Sequence, residues 1–138
     1  PSDPPLPQTD VSPRRWIGFM EAVPSSHNGL LYCVGTRYET GTDIYEDIRN
    51  LGRKGLIHHV HIRNVRGQLP TTGGYEEIAL NDGDMNLLKV LRALREIGYD
   101  GCLQVDLLPN YSSDEPPCMI ASAYAVGYVK ALVTALDA

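Results

Sequence analysis

The chain has 138 residues, 43 % of them hydrophobic, enough apolar side chain to bury a core and to exclude an intrinsically disordered segment. Seventeen acidic against twelve basic side chains give a net charge of −5 with no basic run, which argues against nucleic acid and against an anionic membrane surface as partners. The longest apolar run, residues 119–129, is 11 residues long, short of the roughly 20 a bilayer span needs, and no signal-peptide pattern opens the sequence.

The chain opens with Pro1, and "PSDPPLP" reads as a loop leaving an earlier element, so the sequence is expected to start within a larger protein. Ser12 as N-cap and Pro13 as first helical residue predict a helix through Trp16, Ile17 and Met20 to about Val23. "LLYCVG" follows as a strand. Thr42 or Asp43 then caps a helix with Ile44, Ile48 and Leu51 on one face, ended by Gly52. "IHHVHIRNV" is the second strand, with His59, His61 and Arg63 on one face and Val60 and Ile62 on the other. After a Gly-rich loop, Asp84 is expected to cap a helix whose stripe is Leu87, Leu88, Leu91 and Leu94 and whose end is Gly98. "CLQVDL" is the third strand, and "LPNYSSDEPP" leads into a last helix from Met119 to Leu136.

Three strands separated by helices imply parallel strands with right-handed crossovers. A closed (β/α) barrel needs eight strands and about 250 residues, so the choice lies between a small open sheet and part of a barrel. No GxGxxG follows a strand and no GxxxxGK[ST] is present, which weakens the nucleotide-binding versions of the open sheet.

Parallel α/β folds build their sites at the carboxyl ends of strands. Those ends carry Cys33, His61 with Arg63, and Asp106: a thiolate, an imidazole and a carboxylate suited to a divalent metal. Gln104 shares a face with Asp106, while Leu103 and Val105 face the helices. Each residue also has a plain reading. Cys33 fits an apolar strand as a core thiol, His61 fits the wet face of an edge strand, and Asp106 fits a loop or helix cap. Their separations of 28 and 45 residues match no short metal motif. If they form one site, their ligand atoms must converge to within about 5 Å, because metal bonds run about 2.0–2.3 Å. Glu76 and Glu77 read as loop acids that either face the site or, the favoured reading, merely solubilise the loop; His58 reads as exposed at a strand start, His27 as a residue of the loop "PSSHNG", and Asp84 as a cap. Cys33, Cys102 and Cys118 form an odd set without CxxC spacing, which suits a reducing compartment, with the cytoplasm as the expected location.

"LLYCVGT", "IHHVHIRNVRG", "LREIGYDGCLQVD" and "AVGYVKAL" stand in the order and spacing of the mannonate dehydratase family of xylose-isomerase-like barrels, which the sequence resembles over nearly its whole length. "PSDPPLP" resembles the segment that follows a metal-binding His in that family. The resemblance implies that residues 1–138 are the C-terminal portion of one (β/α)8 TIM-barrel domain, contributing three parallel strands and four helices, with the N-terminal half absent. It implies Cys33, His61 and Asp106 as three of four metal ligands, manganese as the usual ion, and contact of Arg63 and Asn64 with a sugar acid. The implied reaction removes water from D-mannonate to give 2-dehydro-3-deoxy-D-gluconate.

Two positions depart from the family. Where it carries a proton-transferring His after the third-strand Asp, this chain has Leu107. Where it carries a catalytic Tyr at the final helix, the simplest alignment gives Met119, with Tyr111 and Tyr124 as alternatives under a shifted register. The residue that moves the proton is therefore not identified, and metal binding is the better supported half of the reading. A metal-dependent sugar isomerase or epimerase of the same fold, and a non-catalytic truncated remnant, are the competing readings. A barrel cut open also leaves strand edges that call for the missing half or for self-association.

Overall fold

The computed structural model describes residues 13–109 and 118–137; Ser12, the expected first cap, and Tyr111 lie outside them. The centre is a three-stranded parallel sheet of β1 (Leu30–Cys33), β2 (Ile57–Ile62) and β5 (Leu103–Val105), in the order β1-β2-β5. Tyr32 and Cys33 stand opposite Val60 and His61, and Val60, His61 and Ile62 stand opposite Leu103, Gln104 and Val105. Side chains alternate across a pleated strand, so this register sends Tyr32, Val60 and Ile62 into one core and sets Cys33, His61 and Gln104 side by side on the other face, which also carries Leu31 and His59.

The core face is covered by α3 (Ile44–Gly52) and α5 (Leu87–Glu96), which pack on each other, and α6 (Met119–Asp137) packs against α5 and β5. Ile44, Ile48 and Leu51 of α3 are buried as their spacing requires, as are Leu87, Leu91 and Leu94 of α5; Leu88 is only half-buried, and Val90 and Ala93 complete the stripe. Between sheet and helices, Arg37 Nε donates to Asp47 Oδ2 at 2.8 Å and the Tyr32 hydroxyl donates to the same oxygen at 3.0 Å. Burial and the Asp47 charge push the Tyr32 phenol up from its ordinary value.

Asp43 is the cap of α3, accepting from the N–H groups of Tyr45 at 3.1 Å and Glu46 at 3.2 Å. Gly52 is the last helical residue rather than the stop; the left-handed turn falls at Gly55, with φ 67°. Gly52 has another reason to lack a side chain, since a Cβ there would stand 2.1 Å from Cδ1 of Ile97. The cap of α5 is Asn86, whose side chain accepts from Lys89 N at 3.0 Å, and not Asp84. Asp84 instead accepts from Gly67 N at 2.8 Å and from the Tyr38 hydroxyl at 3.4 Å. Gly98 ends α5 in the left-handed conformation, as expected.

The expected long second strand is also interrupted. β2 stops at Ile62, and β3 (Asn64–Arg66) leaves the sheet to pair antiparallel with β4 (Glu76–Ile78) across a loop holding the short helix α4 (Leu69–Thr72). Asn64 makes the break. Its amide donates to the carbonyls of Leu80 at 2.8 Å and Met85 at 3.0 Å, and its oxygen accepts from the N–H groups of Val65 at 3.0 Å and Met85 at 3.1 Å. One side chain thus satisfies four buried backbone groups and ties the whole excursion back to the start of α5.

α2 (Val34–Glu39) is a short helix where the sequence signals announce none. α1 (Pro13–Ala22) ends one residue before the expected boundary. α6 spans 19 residues at a mean hydropathy of 1.5, long and apolar enough by length and composition to cross a membrane, which the 11-residue apolar run understates. Ala121, Ala125 and Val129 face the core, while Met119, Ile120, Val126 and Val133 remain exposed.

Replacing Asn64 by Ala strands two N–H and two carbonyl groups in the interior. The expected loss is about 3 kcal/mol of unfolding free energy, read from urea denaturation of the two chains side by side. An unchanged midpoint would show that the clasp contributes nothing to stability.

Candidate metal centre

Cys33 closes β1, His61 stands one residue from the end of β2, and Asp106 directly follows β5. Cys33 is level with His61 in the β1–β2 ladder. Asp106 N donates to Ile62 O at 3.2 Å, carrying the β2–β5 pairing one step further and bringing the carboxylate to the same rim. All three side chains are half-buried, and their ligand atoms lie within 4.8 Å of one another. His61 Nδ1 is 3.3 Å and Cys33 Sγ 3.8 Å from the same oxygen, Asp106 Oδ2. The expected convergence is therefore present in the geometry, and the expected face assignment holds too. Below the three, His59 Nε2 meets Gln104 Oε1 at 3.0 Å, and the rings of His59 and His61 meet edge to face at 5.3 Å.

The donor chemistry fits a divalent ion. One thiolate, one imidazole and one carboxylate offer soft, intermediate and hard donors from three adjacent strand ends, and the rim leaves them partly open to solvent. Among the described residues this is the one cluster of three or more His, Cys, Asp or Glu side chains with that geometry.

Arg63 lies at the centre of a second layer. Its side chain is 3 % exposed, and every nitrogen of the guanidinium has a partner. Nε donates to Cys33 Sγ at 3.3 Å and faces Asp106 Oδ2 at 3.8 Å; Nη2 donates to Glu39 Oε2 at 2.9 Å and Thr36 Oγ1 at 3.0 Å; Nη1 donates to Glu77 Oε1. The Tyr75 ring centroid is 5.8 Å from Cζ. Burial works against the charge of Arg63, but the hydrogen bonds to Cys33 and Glu39 and the nearby negative groups hold it above its ordinary value. Burial pushes the Glu77 carboxyl up, with Arg63 opposing.

Asn64, implied as a substrate contact, is buried with its amide spent on the backbone clasp described above. Arg63, implied as a substrate contact, is saturated by the protein's own groups. Glu77 is no solubilising loop acid but turns in to Arg63, whereas Glu76 pairs at the surface with Arg66 at 3.0 Å. Glu39 and Thr36 stand in no recognisable motif. Their spacing of three, in the helix that starts right after Cys33, was the available signal. Leu107 and Met119 are both exposed, and Tyr124 stacks on Tyr128 at 6.2 Å. Of the remaining candidates, His58 and His27 are exposed, and all three cysteines are free thiols.

Three parallel strands with their outer helices, and a polar cluster at the strand ends, define a segment of a xylose-isomerase-like (β/α) barrel. A mannonate dehydratase from Streptococcus suis shares the fold at TM-score 0.68 and 21 % identity, over 91 % of this chain and 38 % of that one. A xylose isomerase domain protein from Planctomyces limnophilus does so at TM-score 0.70 and 23 % identity, over 88 % and 43 %. At the sequence level, the D-mannonate dehydratase (UxuA) family model matches residues 1–138. The mannonate dehydratase of Thermotoga petrophila is 32 % identical over 116 residues, which is 77 % of this chain and 31 % of that protein. That of Brachyspira hyodysenteriae is 31 % identical over 104 residues, 73 % of this chain and 28 % of that protein. The chain belongs to the D-mannonate dehydratase family, and it spans about a third of the length of these relatives.

Because Arg63 and Glu39 are sealed from solvent, Glu39→Gln removes the charge facing a buried cation. It is expected to lower unfolding free energy by about 2 kcal/mol. Glu77→Gln, at a partly open position, is expected to cost under about 1 kcal/mol. Chemical denaturation of both variants measures the difference, and equal losses would show that the two acids share the load.

Proposed function

We propose that Cys33, His61 and Asp106 hold a divalent ion, most simply manganese, in the active site of a mannonate dehydratase-like hydro-lyase that converts D-mannonate to 2-dehydro-3-deoxy-D-gluconate. The observation that carries this reading is the convergence of the three ligand atoms to within 4.8 Å at adjacent strand ends, in a chain of this family. When bound, such an ion supplies Lewis acidity toward substrate oxygens that gain negative charge as water departs. The chain's own part is to hold the donors. Asp106 orients His61 through Nδ1, and Arg63 orients Cys33 and Asp106. The three strands form one part of the barrel wall, and the outer edges of β1 and β5 take the neighbouring strands that close it, or, failing those, another copy.

Proton transfer is the weak link. Leu107, next to Asp106 and 56 % exposed, stands where an acid–base group would serve, and leucine moves no proton. This observation favours, as second reading, an isomerase or epimerase on a related sugar or sugar acid, using the same centre with a different proton carrier.

Calorimetric titration of the chain with Mn²⁺ tests the centre. Binding is expected in the parent, and replacing Cys33, His61 or Asp106 by Ala is expected to weaken it by more than about a hundredfold, the upper end for losing a mere supporting partner. An unaltered affinity in any of the three removes that residue from the ligand set.

The reaction is tested by keto-acid formation from D-mannonate, with this segment in a closed barrel. Slow turnover is expected, rising about 10²- to 10⁴-fold in Leu107→His. Fast turnover without gain from the substitution would assign the proton to another group, with Tyr124 and Tyr111 the first to replace.

A further inference from the structure

The three donors differ in softness, and the one soft donor is the one that accepts a hydrogen bond from a cation; Asp106 Oδ2 faces the same Nε only at 3.8 Å. Nε of Arg63 donates to Cys33 Sγ at 3.3 Å, and nothing else in the guanidinium is free to slide, because Glu39, Thr36 and Glu77 hold its other two nitrogens. The backbone is cut to fit this placement. A Cβ on Gly35, two residues after Cys33, would lie 2.6 Å from Cγ, 2.7 Å from Nε and 2.8 Å from Cζ of Arg63. The arginine is therefore seated in a cradle that only glycine leaves open, and it is fixed before any ligand arrives.

We propose that Arg63 is a positioning residue that sets the ion preference of the site: by hydrogen bonding to the Cys33 sulfur it weakens that donor and disfavours thiophilic ions such as zinc relative to harder ions such as manganese. The inference rests on the metal-centre reading above. Its physical basis is that a sulfur lone pair engaged by a cationic N–H gives less electron density to a metal. That loss falls on ions whose affinity depends on sulfur, while ions bound chiefly through oxygen and nitrogen feel it less. Glu39 and Glu77 serve the same end by directing the fork of the guanidinium away from the donors, leaving Nε as the edge that meets the sulfur.

Arg63→Lys separates this role from charge. Lysine carries a methylene where arginine has Nε, and an ammonium where Cζ stood, so the cation stays beside Glu39 and Glu77 while the donor to Cys33 is lost. Gly35→Ala displaces the same arginine with every ionisable group intact, and Glu39→Gln loosens its anchor. The measurement is the affinity of the 138-residue chain for Zn²⁺ and for Mn²⁺ separately, with circular dichroism to confirm that each variant is folded. The expected result is a Zn²⁺:Mn²⁺ affinity ratio raised about tenfold over the parent in Arg63→Lys and in Gly35→Ala, and raised less in Glu39→Gln. A purely structural role would lower both affinities together and leave the ratio where it was. A ratio within about twofold of the parent in whichever of these variants fold overturns the inference while leaving the metal centre standing. If the parent itself binds neither ion, the metal-centre reading fails and takes this one with it.

Discussion

A buried guanidinium, held by two carboxylates, organises the carboxyl end of this sheet. An unpaired cation in that position would be prohibitively costly, so the fold must supply Glu39 from the helix after β1 and Glu77 from the hairpin after β2. Meeting that demand draws α2 and the β3–β4 hairpin toward the strand ends, where Cys33 and Asp106 also face Nε. The ion pairs are weak evidence for net stability, since replacing such a network by apolar groups is often neutral. Their value lies in geometry: they bring together three segments that the sheet alone does not connect.

The sheet contributes the other constraint. In parallel strands, register determines which side chains share a level, and here it sets Cys33 beside His61, with Asp106 one step beyond the last β2–β5 pair. Cys33, His59, His61 and Gln104 lie on that face, while Tyr32, Val60 and Ile62 between them are packed in the core. Slipping β2 by one residue would bury His59 and His61 against the helices and push Val60 and Ile62 into the site. The hydrophobic core therefore fixes, through the register, where Cys33, His61 and Asp106 stand.

α6 and the outer strands show what a barrel segment looks like from its open sides. β1 and β5 are the end strands of the described sheet, and α6 presents Met119, Ile120, Val126 and Val133 outward beside β5. In a barrel wall such surfaces meet the next βα unit. The high mean hydropathy of α6 has the same origin: an outer helix touching strands below and helices on both sides needs apolar residues around most of its circumference.

Much was legible in the residue order because it rests on local periodicity. The stripe of Ile44, Ile48 and Leu51, the alternation of His59 to Arg63 and the cap at Asp43 each depend on neighbours a few residues away, and each formed as read. The ends of the strands named Cys33, His61 and Asp106 as candidates, since strand ends are where parallel α/β folds collect polar groups. What periodicity does not carry is the long-range pairing of polar side chains. Asn64 is a strand residue, as its neighbours suggest, but of a separate strand, and its amide closes a loop whose other side lies 16 to 21 residues away. Glu77 looked like a solvated loop acid, and Asp84 like a cap, until the hairpin folded back and gave them Arg63 and Gly67 as partners. Glu39 carried no signal beyond its place on a short helix. Which charges are buried, and beside what, depends on desolvation and on partners far away in the chain, and only the tertiary structure supplies both.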